Sequence, residues 1–441
     1  MKRRMISVRS YVHNQRYRPR RRWGRWLFLG LVVVTGLGWW ALGSKSIPGS
    51  PLDPLGAISG PPKPGDIVAE ENFRPYTLAE TIGLAKENYG GAAAGITTPV
   101  TKITFRYRSE LPGGEEIILY ARAFLPDTPR TNLPVFGFTT GTTGIGDICS
   151  PSLEQPKVAN WANYDSHMAM YAAHGFAAVT PDYEGHRDSA RIHHYMVGEI
   201  EGRITLDAIR ALRNLPETRG RLTDNVFLGG YSQGGHAAFW ADKIAAKYAP
   251  DVKPKGVIGF GPVMSVKQTL TDITRGANIN WFGPYVLFSY RDYYKNEYGP
   301  VLLPKWEATL AQDVPAHCID TNIPFWGRSP EGVYMPEFLA AIKENKLPEQ
   351  YLRLVSDLDR NAVGSVSTTS AKRINQGALD NVVLAAQQVA ILPELCSSSQ
   401  GPVQYKVYPH ATHYTTMLQS FSDTVEWMRT IIRGQSVLAS C

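Results

Sequence analysis

The stretch Val226-Phe227-Leu228-Gly229-Gly230-Tyr231-Ser232-Gln233-Gly234-Gly235-His236-Ala237-Ala238 decides how the chain folds. It opens with an apolar run that reads as a buried strand and closes with small and apolar residues that read as a helix start. Gly-x-Ser-x-Gly lies between them, with Ser232 at its centre. A sharp strand-to-helix turn lifts a hydroxyl clear of both elements, which is what a nucleophile needs. Gly230 and Gly234 suit such a turn because side chains there would collide with the closely approaching backbone. The N–H of Gln233 would then sit at a helix N-terminus, where it can stabilise an oxyanion.

Working outward, strand and helix patterns alternate on both sides of this turn. Thr101–Arg108 and Glu116–Phe124 flank Pro112-Gly113-Gly114 as a hairpin. Pro134–Thr140 predicts a third strand, roughly Val158–His174 a helix, Phe176–Tyr183 a strand, and Val197–Leu215 an amphipathic helix. Beyond Ser232 come a helix over 234–248 and a strand at Gly256–Val263. The alternation resumes only with Ala371–Gly377, a helix at Leu384–Leu395, strand Val403–Tyr408 and a helix at Thr415–Ile432. This predicts an α/β fold: a mostly parallel sheet covered on both faces, with an antiparallel hairpin at one edge. Residues 76–263 and 367–441 would form that core. Residues 264–366, rich in aromatics, would form a largely helical cap inserted after the sixth strand, over the ends of the strands.

The nucleophile's partners follow from chain order, since an elbow of this kind places the acid after the serine and the histidine last. His413 lies in Tyr408-Pro-His-Ala-Thr-His413, just past the last predicted strand, where a base can hang toward the elbow. His410 is its nearest rival. His236 lies one helical turn beyond Ser232 and should point elsewhere. Asp380 follows the strand Ala371–Gly377 and is the candidate acid, ahead of Asp357 and Asp359. The loop Gly141-Thr142-Thr143-Gly144 follows the third strand and offers a second oxyanion donor, with Thr142 first and Gly141 next. No metal-ligand spacing and no phosphate-binding glycine loop is present, so neither a metal nor a cofactor is expected.

The charge is uneven. The chain of 441 residues has a net charge of +7, but ten cations and no acid fall in residues 1–25, leaving −3 for the rest. Nucleic acid is therefore not an expected partner. Residues 26–43 are uncharged and would span roughly 27 Å as a helix, close to a bilayer core. Together with the basic segment they predict a transmembrane helix acting as a signal anchor, a membrane partner, and a catalytic domain outside the cytoplasm. A signal peptide cut after Ala41-Leu42-Gly43, giving a secreted protein, is the open alternative. Residues 44–75, rich in Pro, Gly and Ser, read as a linker. Cys149, Cys318, Cys396 and Cys441 fit an oxidising compartment, and four cysteines allow three pairings that spacing does not separate.

Several segments resemble the secretory lipase family of α/β-hydrolases, which includes fungal lipase A-type enzymes. They are Gly141-Thr-Thr-Gly144 with Cys149-Ser-Pro-Ser152; Thr180-Pro-Asp-Tyr-Glu-Gly185; His194-Tyr-Met-Val-Gly-Glu-Ile-Glu-Gly202; Gly230-Tyr-Ser-Gln-Gly-Gly-His236; Gly377-Ala-Leu-Asp380; and Tyr405-Lys-Val-Tyr-Pro-His-Ala-Thr-His413. The resemblance implies an α/β-hydrolase fold and hydrolysis of carboxylic esters, including lipid esters, through an acyl-enzyme on Ser232. It implies the triad Ser232, Asp380 and His413, and disulfides Cys149–Cys318 and Cys396–Cys441. A serine peptidase, an acyltransferase, or a membrane-tethered binding module with a retired site are the alternatives the sequence leaves open.

Overall fold

The structure, a computed structural model, describes residues 61–155 and 161–441. Nine strands form one sheet: β1 (Ile67–Pro75), β2 (Val100–Glu110), β3 (Glu116–Pro126), β4 (Leu133–Thr139), β5 (Ala177–Pro181), β6 (Leu222–Tyr231), β7 (Pro254–Phe260), β8 (Ala371–Gly377) and β9 (Val403–Tyr408). Their spatial order is β1-β2-β3-β5-β4-β6-β7-β8-β9. The first three pair antiparallel, as does β3 with β5, and every later pair is parallel. This is the α/β-hydrolase arrangement.

Helices α1 (Leu78–Tyr89), α2 (Tyr164–Ala173), α3 (Gly198–Asn214) and α4 (Gln233–Tyr248) precede β7. Between β7 and β8 runs a helical insertion: α5 (Val266–Thr271), α6 (Phe282–Tyr294), α7 (Pro304–Glu307), α8 (Leu310–Ala316), α9 (Ile319–Trp326), α10 (Pro336–Lys343), α11 (Leu347–Gln350) and α12 (Leu352–Arg360). Helices α13 (Ala385–Ser398) and α14 (Thr416–Ile432) complete the chain.

The central strands carry buried apolar runs because both faces are covered. Side chains alternate across a strand, so neighbours enter different cores. Val135, Leu228 and Val257 pack with Ile204 and Ile209 of α3 and Phe239 of α4. Phe136, Phe227 and Ile258 pack with Met168 of α2 and Trp427 of α14. The insertion joins the first core through Tyr285, Tyr290, Tyr334 and Leu358.

Three expectations change. First, residues 67–75, expected in the linker, form β1 on the open edge; this ninth strand moves the insertion from after the sixth strand to after β7. Second, α2 begins at Tyr164 rather than near Val158, and residues 156–160 lie outside the described part.

Third, the expected transmembrane helix, signal anchor and membrane partner, with the placement outside the cytoplasm derived from them, are corrected. Among the described residues no helix is long and apolar enough to cross a membrane. The longest, α3 and α14, have 17 residues and are amphipathic: one face packs on the sheet and the other carries charges such as Arg210 and Arg429. Residues 26–43 lie outside the described residues. The basic segment 1–25 and linker residues 44–60 do so as well.

Two disulfides close the fold. Cys149, in the segment after β4, bonds Cys318 at the start of α9, with a Cα–Cα distance of 5.3 Å. Cys396 of α13 bonds Cys441 across 5.9 Å. Beside the first, the Ile319 N–H donates to Thr143 O at 2.8 Å, so the insertion is fastened to the loop after β4.

Candidate active site

Strand β6 ends at Tyr231 and α4 begins at Gln233, leaving Ser232 between them at φ 55°, ψ −113°. A non-glycine residue adopts this left-handed backbone only at a cost of roughly 1–3 kcal/mol, which the surroundings must offset. Two backbone bonds do so: Ser232 N–H donates to Phe260 O at 3.0 Å, and Val263 N–H donates to Ser232 O at 3.2 Å. Packing leaves no room for side chains beside the turn. A Cβ on Gly230 would lie 1.9 Å from Gly234 O, and one on Gly234 would lie 1.9 Å from Thr139 O.

The tip of β7 also touches the candidate acid and base. Gly261, at φ +52°, runs so close that a Cβ there would sit 3.0 Å from Asp380 Oδ2 and 3.1 Å from His413 Nδ1. His413 Nδ1 donates to Asp380 Oδ2 at 2.7 Å, and both side chains are buried. Asp380 Oδ1 accepts the N–H groups of Val382 and Val383 at 2.9 and 2.8 Å, while Gln376 Nε2 reaches Oδ2 at 3.2 Å. The carboxylate is thus fixed through both oxygens. The His413 ring packs on Tyr231, the residue before Ser232, with centroids 4.8 Å apart. With Nδ1 committed to Asp380, Nε2 is the nitrogen left to accept a proton. No hydrogen bond joins Ser232 Oγ to His413 among the described residues; such contacts commonly tighten only around substrate.

Ser232, His413 and Thr142 line one cavity of about 360 Å³. Trp281, Ile319 and Ile323 of the insertion segment, with Trp161, Val382 and Leu418, give it apolar walls, and Asn88, His167 and Asp320 add polar groups. Gln233 N–H opens α4 beside Ser232. Gly141 lies against the Tyr231 ring, where a Cβ would come within 2.6 Å, so the loop after β4 borders the elbow. The remaining candidates lie elsewhere. His410 is exposed. Asp357 accepts from Asn296 and Tyr298 inside the insertion, and Asp359 pairs with Lys267.

Behind the elbow lies a buried polar group that sequence reasoning did not identify. Glu201 of α3 accepts from Gln233 Nε2 at 2.7 Å and from Met196 N–H at 3.0 Å through one oxygen, and faces His236 Nδ1 at 2.7 Å through the other. His236 Nε2 reaches Asn361 O at 2.7 Å, so both ring nitrogens face acceptors. His193 Nε2 faces Gln233 Nε2 at 2.8 Å and must accept there; burial pushes the His193 pKa well below its ordinary value, which keeps that nitrogen free to do so. The sequence carries one hint: Glu201 falls on the apolar side of an amphipathic helix. His167 was also missed. Its Nδ1 pairs with Tyr89 Oη at 2.8 Å, and burial holds its pKa down at about 3.

The sequence profile of the secretory lipase family matches residues 163–294, the span that holds α2, β6, the elbow and α6. Lipase A of Moesziomyces aphidis is 29% identical over 178 residues, 39% of this chain and 37% of that protein. Lipase 1 of Candida albicans is 23% identical over 324 residues, 70% of this chain and 67% of the relative. The chain therefore spans little more than a third of the first relative and about two thirds of the second. Among solved structures, the rice cell wall degrading esterase LipA from Xanthomonas oryzae superposes with a TM-score of 0.65 at 20% identity, covering 85% of this chain and 100% of that one. Matching profile, relatives and fold agree with the elbow built here: over residues 163–294 the chain is similar to the secretory lipase family, and its fold is that of the α/β-hydrolases.

Proposed function

We propose that this chain is a serine hydrolase that cleaves carboxylic esters, of lipase or esterase type, through an acyl-enzyme on Ser232. The observation that carries the proposal is the 2.7 Å Asp380–His413 pair facing, across one cavity, a serine in strained left-handed backbone. Ser232 Oγ attacks the ester carbonyl while His413 Nε2 takes its proton. Asp380 holds the ring tautomer and stabilises the imidazolium. The N–H groups of Gln233 and of Thr142 or Gly141 stabilise the oxyanion. Collapse of the tetrahedral intermediate returns the proton from His413 to the leaving alcohol, and water, activated by the same ring, releases the acid.

The insertion 264–366 acts as the cap in this reading, since Trp281, Ile319 and Ile323 supply much of the apolar wall an acyl group would meet. Ester and amide substrates share this chemistry, so p-nitrophenyl esters are compared with the matching anilides. Ser232→Ala is expected to abolish ester turnover and fluorophosphonate labelling with an unchanged circular dichroism spectrum. Turnover surviving in that variant would end the proposal, and amide turnover exceeding ester turnover would redirect it to a peptidase.

A further inference from the structure

Thr142 carries a second group besides its backbone N–H. Its Oγ1 lies 2.8 Å from Tyr195 Oη, and either hydroxyl could donate. The surroundings choose. Tyr195 is 1% exposed and walled by Phe282, Tyr285 and His193, with ring centroids 5.6–6.0 Å away. Its Oη has no other hydrogen-bond partner among the described residues. A buried phenol that did not donate to Thr142 would leave its proton unsatisfied, which buried donors rarely are. Burial also raises the Tyr195 pKa well above its ordinary value, so the phenol keeps that proton. Tyr195 therefore donates to Thr142 Oγ1, and the Thr142 proton must turn away from the ring. The direction left is the cavity that Thr142 lines together with Ser232 and His413.

The loop is held from other sides too. Tyr183 Oη donates to Thr140 O at 2.6 Å, and Ile319 N–H binds Thr143 O. The hydroxyl is thus oriented before substrate arrives, the condition under which a donor contributes most to a transition state.

We infer that the Thr142 hydroxyl is a catalytic hydrogen-bond donor to the oxyanion, alongside the backbone N–H groups, and that Tyr195 is the positioning residue that aims it. The proton stays on Thr142 throughout; only a hydrogen bond strengthens as negative charge develops. The inference rests on the ester-hydrolase reading.

Four variants test it with a p-nitrophenyl ester: Thr142→Val, Thr142→Ser, Tyr195→Phe and the double variant Thr142→Val with Tyr195→Phe. Valine keeps the backbone N–H and the shape but not the hydroxyl, so kcat should fall roughly 10²-fold with KM little changed. Serine should restore most of it. Tyr195→Phe alone should lower kcat about fivefold, and should cost nothing further in the Thr142→Val background. Native kcat in Thr142→Val overturns the inference. Equal losses from Tyr195→Phe in both backgrounds assign Tyr195 a merely structural role and overturn its part. Should Thr142→Val not fold, Thr142→Ser at native kcat beside a lowered kcat in Tyr195→Phe supports the inference, and native kcat in Tyr195→Phe overturns it. A wild-type chain that neither takes a fluorophosphonate nor turns over ester removes the hydrolase reading itself, which separates the two failures.

Discussion

Replacing Asp380 by Asn tests the acid–base pair with the smallest change of shape. Asp380 Oδ1 accepts two backbone N–H groups, from Val382 and Val383. Those bonds fix the amide oxygen at the Oδ1 position, because an NH₂ there would face two donors. The new NH₂ then occupies the Oδ2 position, 2.7 Å from His413 Nδ1 and 3.2 Å from Gln376 Nε2. His413 can meet it only by carrying its proton on Nε2, which makes that nitrogen a donor and useless as a base toward Ser232. The expected loss in kcat is about 10⁴-fold, or ~5 kcal/mol of transition-state stabilisation. Stability should fall less, by about 1–3 kcal/mol, because only the Gln376 contact is left donor against donor. Stopped assays of p-nitrophenyl ester turnover give kcat, and urea unfolding gives the stability. A folded Asp380→Asn variant within tenfold of native kcat would refute the tautomer argument and remove Asp380 from the mechanism.

Three other perturbations follow from the same geometry. Gly261→Ala, with its Cβ forced against Asp380 and His413 at φ +52°, should lower kcat by tenfold or more and stability by roughly 1–2 kcal/mol while leaving KM nearly unchanged; steady-state kinetics read this directly. Breaking Cys149–Cys318 with paired serines opens a crosslink between residues 169 apart and should cost about 5 kcal/mol on a chain-entropy estimate, seen as a lower urea midpoint that matches the reduced native protein. His167 is held neutral, with its pKa pushed down to about 3 from an ordinary 6.5. The unfolded chain therefore takes up a proton below pH 6.5 that the native state refuses until near pH 3, and stability falls as pH drops through that window. At pH 4.5 the cost is about 3 kcal/mol, so His167→Gln should flatten the acid limb of the stability profile by one proton, and an unchanged slope counts against it.

How much of this was legible depends on where each constraint resides. The elbow was readable because its cause is local: Gly230, Ser232 and Gly234 lie within five residues, and the collisions that demand glycine involve the same turn and the strand beside it. Asp380 and His413 were reachable because both hang from strand ends, and chain order ranks the candidates. Strand β1 was missed for the opposite reason. It is an edge strand with mostly exposed side chains, so Ile67–Pro75 shows no apolar face and resembles the linker before it. Helix α1 did carry a local sign, Thr77 and Glu80 as a capping box, both halves of which form.

The polar groups around the elbow were illegible for a further reason. A buried Glu or His announces that it needs a partner, but the partner's residue type does not say from which distance along the chain it comes. Glu201 meets Gln233 from 32 residues away, His236 meets Asn361 from 125, and Gly198 meets Asn361 from 163. Two of these bonds reach from the core into the end of the insertion. Asn361 thereby ties the residues behind Ser232 to the segment that walls the cavity in front of it. The polar cluster behind the elbow is thus bonded to the end of the insertion at two points, His236 and Gly198. Asn361→Ala removes the Oδ1 that accepts from Gly198 N–H and leaves the backbone carbonyl facing His236 in place, so it should lower kcat through a residue outside the cavity lining, while the same substitution at the exposed Asn345 should not.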